Sequence, residues 1–515
     1  MSVSTAKADG TASGAASNLT AGRLLARNVL WNLGGQFVPL LAAVVAIPVV
    51  MRAVGVDRYG VLALSATAVG YLGVLDFGLG PANTKLIADA LGANRLERVP
   101  GLFWTSLYIM FALGCGGGIL LASSAHWLAF DLLAVPPALR GESAAAFYVL
   151  ALSLPFVISA SSLRGTLSAF QRFDLINAIR VPMGILLIAG PLLILPFSIK
   201  LPALVSVLVT VRLADWCVAL WLCLRTIPDL RDKKWPQRRL LRPLLSFGGW
   251  VSVTGLVSPL MVEFDRFLIG GMLSVAAVAY YSVPYQIVIK FLIIPQAIVS
   301  VLFPALSSSF VHDPARVLLL WERGTKYILL ALFVPVLVVI TFAPEVLSIW
   351  LGSGFQHNSA PVMRCLAVGV LVNSLALMPF SLIQAAHRPD LTAKLHVSEA
   401  PFYGLFLWWA LRRWGVEGAA IAWAARTTVD AIVLFVMAGQ MLPATSGMAR
   451  RIGLATCGAL VVFGLSCVPM AVAVKGLCLL VEMGLFAGLL WRQFLGNEER
   501  ESVRGLLRVA SSHAR

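Results

Sequence analysis

Long apolar stretches separated by short polar connections dominate this chain. An α-helix of about 20 apolar residues crosses the hydrocarbon core of a bilayer, and about fourteen stretches of that length recur here. The pattern therefore predicts an all-α polytopic membrane protein. The predicted spans are residues 28–51, 59–81, 101–124, 143–168, 174–198, 202–224, 246–271, 276–306, 326–351, 361–385, 391–411, 416–440, 452–473 and 475–494.

The longest polar interruption, Arg225–Arg242, divides the apolar spans into two blocks of similar size. It holds seven Lys and Arg residues, a composition typical of a cytoplasmic loop in a membrane protein. Each block opens with a related pattern, LLARNVLWNLGG in the first and RRLLRPLLSFGG in the second. This weak internal symmetry is typical of transporters built from repeated halves.

Composition and charge agree with a membrane location. The chain is 59% hydrophobic and only 12% charged, whereas soluble domains carry about 25% charged residues. The net charge of +16 comes from basic residues that lie between apolar spans, which indicates anchoring against an anionic leaflet rather than nucleic-acid binding. Most Lys and Arg residues fall in loops assigned to the cytoplasm when the N-terminus is inside. This bias predicts that both termini are cytoplasmic.

Catalytic chemistry has little support in the sequence. The chain contains no GxSxG, HExxH, P-loop or CxxC motif, and its connections are too short for a soluble domain. The seven cysteines are scattered through apolar segments and the six histidines lie mostly at loops or span ends. We therefore expect a protein that is not an enzyme and needs neither cofactor nor metal.

Charged residues inside the spans are more informative, because each costs about 2.5–3.5 kcal/mol at a helix centre. Three pairs stand three or four residues apart and can neutralise each other on one helical face: Arg212 with Asp215, Glu263 with Arg266, and Arg426 with Asp430. Asp265 is a second possible partner for Arg266, and Arg364 lies near a span end, where it can extend to the headgroups.

Three charged residues have no local partner of opposite sign: Lys290, Arg180 and Glu399. For Lys290 we favour the lining of a cavity over a distant ion pair, whereas for Arg180 and Glu399 the two alternatives are evenly balanced. We expect Asp76, near the end of the second span, to stabilise a loop. Prolines inside many spans favour bent helices and a transporter that works by alternating access.

Four segments resemble the Wzx-type O-antigen and exopolysaccharide flippases, a branch of the multidrug/oligosaccharidyl-lipid/polysaccharide exporter superfamily. The segments are VGVDRYGVLALSATAVGYLGVLDFGLGPANTK (54–85), GTLSAFQRFDLINAIR (165–180), DRFLIGGMLSVAAVAYYSV (265–283) and LHVSEAPFYGLFLWWALRRWGVEGAAIAW (395–423). Their order and spacing carry the resemblance from about Arg27 to Arg426.

The resemblance implies two six-helix bundles related by a pseudo-two-fold axis, followed by a final helix pair. We accordingly expect a disordered cytoplasmic tail (1–22), an N-terminal bundle (23–225), a basic cytoplasmic linker (226–245), a C-terminal bundle (246–440), helices 13 and 14 (441–494) and a second cytoplasmic tail (495–515).

The resemblance also implies a function. Such proteins move undecaprenyl-pyrophosphate-linked oligosaccharides across the bacterial inner membrane, for O-antigen or exopolysaccharide synthesis, beside polymerase and other assembly proteins. The cations expected near the anionic headgroup are Lys290, Arg180, Arg266 and Arg364. The candidates for coupling to a proton or sodium gradient are Glu263, Asp265 and Glu399.

Two other transporters remain open as alternatives. A cation-coupled multidrug exporter shares the architecture but needs an acid-biased cavity, and here the basic residues in the spans at least match the acids. A lipid II flippase of peptidoglycan synthesis carries the same headgroup chemistry. A membrane-embedded polymerase or ligase fits less well, because the longest predicted outer loop, 125–142, is short and plain.

Overall fold

The computed structural model describes residues 39, 41–237, 239–240, 264–310, 313–443 and 446–489, and every regular element in those ranges is a helix. The helices are α1 (Leu41–Val54), α2 (Val56–Leu72), α3 (Leu79–Gly92), α4 (Val99–Trp127), α5 (Arg140–Ala151), α6 (Leu154–Ala169), α7 (Phe173–Ile194), α8 (Leu201–Thr226), α9 (264–272), α10 (Val275–Val288), α11 (Ile293–Ser309), α12 (Pro314–Leu351), α13 (Ser353–Ala385), α14 (Pro389–Met441), α15 (Ser446–Ser466) and α16 (Val472–Leu489).

The predicted all-α polytopic architecture is confirmed. Eight helical segments in the described ranges are long and apolar enough to cross a membrane. Helices form here because lipid offers no partner for backbone polar groups, so each span must satisfy its N–H and C=O groups internally. The eight segments are Leu96–Leu132, Pro137–Ala169, Phe173–Ile194, Leu201–Thr226, Val275–Ser309, Pro314–Leu351, Ser353–Ala385 and Pro389–Met441.

The predicted span 59–81 differs from the structure, because the helix breaks within it. A 3-10 turn, Gly73–Asp76, follows α2, and Phe77 and Gly78 then adopt positive φ angles of 47° and 65° before α3 begins. Asp76 accepts a hydrogen bond of 2.9 Å from the Gly78 N–H and one of 3.3 Å from the Ser161 hydroxyl. The carboxylate of Asp76 thus stabilises the turn between α2 and α3, which is the role in a loop that the sequence predicts.

The chain forms two compact units, Met1–Ala279 and Tyr280–Arg515, and the division falls within α10. The basic linker is described only to residue 240, and residues 241–263 lie outside the described ranges. The two predicted tails, 1–22 and 495–515, also lie outside them, as does most of the predicted span 246–271. The domain boundaries expected from the sequence therefore stay a prediction.

The first unit contains a buried network of small polar side chains that joins α3, α4 and α6. Asn83 Nδ2 donates to the Ser162 carbonyl and to Thr166 Oγ1, each at 3.1 Å. The hydroxyls of Ser106 and Ser162 lie 2.7 Å apart. All four side chains are fully buried. Because unpaired polar groups are costly in a dry interior, this network fixes how the three helices pack.

In the second unit, α14 is a hairpin of two antiparallel arms, residues 389–414 and 416–441. Gly415 has non-helical angles (φ 57°, ψ −137°), and this single residue reverses the chain. Gly418, three residues later, approaches the Ala410 carbonyl so closely that a Cβ atom there would overlap it. The arms then run side by side, which brings residues near 396–403 of one arm against residues near 426–430 of the other.

We expect Gly418→Ala to destabilise the second unit, because its methyl group would overlap the Ala410 carbonyl. Overpacking of this kind costs about 1–3 kcal/mol. The measurement is the thermal unfolding midpoint of the purified protein in detergent. The matched control is Gly404→Ala on the same hairpin, where a Cβ atom meets nothing within 4 Å and alanine favours the helix. Equal midpoints for both variants would contradict the role given to Gly418.

Candidate functional site

Two of the predicted headgroup cations, Lys290 and Arg180, lie exposed on membrane-spanning helices. Lys290 sits in a 3-10 segment, Ile289–Leu292, which joins α10 to α11 inside one predicted span. Arg180 lies on α7 in the first unit, whereas Lys290 belongs to the second. An exposed cation at such positions needs water or an anionic ligand, since lipid tails cannot stabilise its charge.

Lys290 is part of a polar stripe along α10 and α11. Gln286, Gln296 and Ser300 are also exposed, although the segment Val275–Ser309 is apolar enough to be a membrane span. Lys290 is four residues from Gln286, so both side chains project from the same side of the helix. A stripe of amides and one ammonium group suits a wet surface better than a lipid-facing one.

The next predicted residues, Asp265 and Arg266, are buried in the first unit. Asp265 is fully buried, and Arg266 is 7% exposed and donates from Nη1 to Thr67 Oγ1 at 3.2 Å. The hydrogen bond from Arg266 to Thr67 ties α9 to α2. Glu263, the remaining predicted partner, lies outside the described residues.

Arg364 is half-buried on α13, and its Nε donates to the Ile340 carbonyl at 2.9 Å. It lines a cavity of about 400 Å³ whose walls come from α12, α13 and the residues at the end of α15. Close by, the Lys475 ammonium of α16 contacts Glu345 at 2.7 Å and is 4% exposed. This ion pair fastens α16 to α12.

Glu399 has the most unusual environment of the predicted residues. It is 9% exposed, and neither of its carboxylate oxygens has a hydrogen-bond partner among the described residues. It lies on the first arm of α14, at a cavity of about 450 Å³ between the two arms. The cavity is lined by Leu395, Ser398, Glu399, Phe402, Tyr403, Phe406, Ala425, Arg426 and Val429.

The charged groups that act on Glu399 are Asp430, Arg426 and His396. His396 Nε2 lies 3.5 Å from Asp430 Oδ1, and the Arg426 guanidinium lies 5.5 Å from the centroid of the Tyr403 ring. The nearest charged or titratable contact of Asp430 among the described residues is therefore His396 of the opposite arm, whereas sequence spacing predicts a pair with Arg426. Two carboxylates, one guanidinium and one imidazole thus converge between the arms.

The predicted ion pair between Arg212 and Asp215 is also wrong, because each side chain contacts a different partner. Asp215 instead contacts Arg164 of α6 at 2.9 Å, and Arg212 donates to the Ser153 hydroxyl at 3.3 Å. Sequence reasoning also missed Arg164, Lys475 and His396 as the basic side chains that contact Asp215, Glu345 and Asp430. The only available signals were the intervals of three from His396 to Glu399 and of four from Arg426 to Asp430, which mark helix faces but not which faces meet.

The residues described here hold no group of three or more His, Cys, Asp or Glu side chains that could bind a metal ion. The site around Glu399 contains two acids and one histidine, and an arginine beside them.

The architecture is that of the transporters of the MOP superfamily. A multidrug resistance MATE family transporter of this superfamily, in its inward-facing conformation, superposes with a TM-score of 0.68 at 17% identity, over 79% of this chain and 95% of that one. A MOP superfamily transporter from Pyrococcus furiosus gives a TM-score of 0.59 at 15% identity, over 81% and 94% of the two chains.

Sequence similarity then identifies the family. Residues 25–310 match the model of the polysaccharide biosynthesis protein family, and the chain belongs to this family. A relative from Shigella flexneri, named "Putative O-antigen transporter", is 30% identical over 413 residues, which are 79% of this chain and 96% of the relative. The predicted resemblance to this branch of membrane transporters is confirmed.

We expect Lys475→Met to destabilise the protein, because it leaves Glu345 without its cation. The loss of a partner for a buried polar group costs about 1–3 kcal/mol, and we expect the lower end of this range because the Glu345 side chain is 25% exposed. Unfolding midpoints of purified protein provide the measurement. The double variant Lys475→Met/Glu345→Gln should recover much of the loss, since no isolated charge remains. A double variant as unstable as the sum of both single changes would argue against the ion pair.

Proposed function

We propose that this protein is a flippase that moves undecaprenyl-pyrophosphate-linked oligosaccharides across the bacterial inner membrane by alternating access, for O-antigen or exopolysaccharide synthesis. The observation that carries the proposal is the exposed polar stripe around Lys290 on a membrane-spanning segment, in a chain of the polysaccharide biosynthesis family. The name of the Shigella flexneri relative supports the same cargo class.

The chemistry of the cargo matches this stripe. A pyrophosphate group carries negative charge and a glycan carries many hydroxyls, so their passage needs cations, amides and water rather than lipid tails. Lys290 supplies the charge, and Gln286 and Gln296 supply hydrogen-bonding groups for the sugar. Arg180 is a second exposed cation suited to the headgroup. Arg364 and Arg266 are half-buried and buried, which makes them weaker candidates for direct contact.

Coupling to an ion gradient is assigned, in this proposal, to the site around Glu399. Its carboxylate is buried, has no hydrogen-bond partner among the described residues and lines a cavity. Asp265 and Glu263 remain weaker candidates, since Asp265 is fully enclosed in the first unit and Glu263 lies outside the described residues.

The cation-coupled multidrug exporter is the second candidate. One observation favours it: the Glu399 cavity combines an acid with the aromatic rings of Phe402, Tyr403 and Phe406, a lining that suits an organic cation. Arg426 opposes it, because a guanidinium on the same wall repels a cationic drug. A lipid II flippase shares the headgroup chemistry with the first proposal and differs only in the glycan.

We expect Lys290→Ala to slow flipping about tenfold or more, because a hydrogen bond to a charged group is worth about 1.5–3 kcal/mol. The measurement is the transfer of an undecaprenyl-pyrophosphate-linked oligosaccharide between leaflets of proteoliposomes, with matched amounts of protein. The control variant is Lys233→Ala, which removes an exposed lysine from the basic linker.

Equal flipping by both variants would remove Lys290 from the substrate path. If the wild-type protein flips no lipid-linked sugar but exports organic cations, the multidrug exporter is correct. Preference for a lipid-linked peptidoglycan precursor over other glycans would select the lipid II alternative.

The proposal also includes an inner-membrane location with both termini in the cytoplasm. Lys200 and Lys233 provide a test, because this topology assigns their two exposed loops to opposite sides. In spheroplasts, and in a background without the seven native cysteines, an impermeant maleimide should label Lys200→Cys at once. It should label Lys233→Cys only after permeabilisation. The reverse pattern would invert the topology.

A further inference from the structure

We infer that the coupling ion is a proton, that Glu399 carries it within the α14 hairpin, and that Asp430, His396 and Arg426 set the pH at which it binds. This inference rests on the proposed transport function, but it concerns a property that can be measured without any glycan. It names the coupling ion and the residues around the site, of which the sequence alone indicates only Glu399.

The first argument is the state of the Glu399 carboxylate. It is 9% exposed and both oxygens are without a hydrogen-bond partner among the described residues. An ionised carboxylate in such a place loses its hydration and gains no hydrogen bond from the described residues in return, whereas a protonated one carries no charge. A proton that forms an O–H bond with this carboxylate therefore removes the cost of burying a charge.

The second argument is the charge of the surrounding groups. Among the described residues, Asp430, Arg426 and His396 are the charged or titratable groups that act on Glu399, and they all belong to the two arms of the hairpin. α13 packs against the hairpin here with Phe380, whose ring stacks on His396, and with Gln384, which donates to Thr392. Apart from the imidazole, two carboxylates and one guanidinium of the described residues leave one negative charge. A single proton cancels that charge.

The third argument separates a proton from a sodium ion. Hard metal cations in proteins need about six oxygen ligands in a shell around them. The polar side chains of the cavity are Ser398, Glu399, Tyr403 and Arg426, and together they supply only four side-chain oxygens, fewer than such a shell needs. Arg426 places a positive charge on the same wall. A proton needs one carboxylate and no shell.

The fourth argument concerns access. The side chain of His396 is 24% exposed and that of Asp430 10%, and the two are in contact at 3.5 Å. Exposure therefore decreases from His396 to Asp430 and Glu399. An imidazole at the more exposed position can take a proton from water and release it toward the two carboxylates, which is the usual role of a histidine in a proton path.

Dicyclohexylcarbodiimide provides the test, because it modifies protonated carboxyl groups in apolar surroundings. The full-length protein in detergent is treated across a range of pH, and peptide mass spectrometry locates the modified residue. We expect modification at Glu399 that falls about tenfold for each pH unit above the titration midpoint. Exposed Glu417 on the same hairpin serves as the internal control and should remain essentially unmodified.

Sodium chloride is compared with choline chloride at equal ionic strength. Modification of Glu399 that is independent of sodium supports the proton. Protection by sodium would overturn the inference in favour of a sodium site, and an unmodified Glu399 at every pH would overturn the site itself.

Two variants test whether Asp430 and Arg426 set the pH dependence of Glu399 modification. Residues with a purely structural role would not shift its midpoint in opposite directions. Asp430→Asn removes a negative neighbour and should move the midpoint to lower pH, whereas Arg426→Gln removes a positive neighbour and should move it to higher pH. Shifts of the same sign, or none, would contradict the assigned roles.

His396→Gln should slow the modification of Glu399 at a pH where the wild type reacts readily, and an unchanged rate would remove His396 from the proton path.

Flipping assays in proteoliposomes, with the wild-type protein and its variants, distinguish this inference from the proposed function. Sodium-independent modification of Glu399 without flipping of any lipid-linked sugar would reject the cargo and keep the proton site. Flipping that is unchanged in Glu399→Gln, with Lys290→Ala impaired, would reject Glu399 as the coupling group and keep the flippase.

Discussion

The cost of an unpaired charge in a medium without water is the constraint on which this structure depends. Each buried cation described above has an acceptor close to it: Lys475 contacts Glu345, and Arg266 donates to Thr67. Pairs of this kind offset the desolvation of both groups and fix one helix against another. Two charges do not follow the pattern, since Lys290 remains exposed and Glu399 is buried without a hydrogen-bond partner among the described residues. Such departures from local consistency are expected where a protein works.

The rest of the packing supports those two exceptions. In the first unit, the network around Asn83 and Ser162 joins three helices through hydroxyl and amide groups. In the second, Gly415 and Gly418 allow the arms of α14 to turn back on each other with backbones in close contact. Without a hydrophobic effect between helices in lipid, small residues and hydrogen bonds supply the specificity of packing. The close approach of the arms is what brings Glu399 near Asp430.

Much of the fold could be predicted from hydropathy, because a bilayer requires long apolar helices and short connections. The interruption at Phe77 and Gly78 could not, since it depends on backbone angles that a window of hydrophobicity does not record. The pairing of charges was predicted least well. Intervals of three and four residues identify neighbours on one helix, whereas Asp215 and Asp430 find their partners on other segments. Its position inside a predicted span, without a local partner, singled out Glu399 in the sequence, but its charged neighbours could be identified only from the hairpin.

The two proposed sites, for an anionic headgroup and for a proton, have opposite charge preferences, which raises the question of how they are coupled. Lys290 is not among the residues that line the Glu399 cavity, so a headgroup and a proton need not compete for one position. Their coupling then has to pass through the conformational equilibrium, with each ligand favouring the states that bind it better. In the proposed mechanism, Glu399 retains its proton as long as its surroundings are dry, and it releases the proton when water reaches the cavity. Since this dependence is reciprocal, a state that hydrates the hairpin favours release, and release in turn stabilises the hydrated state.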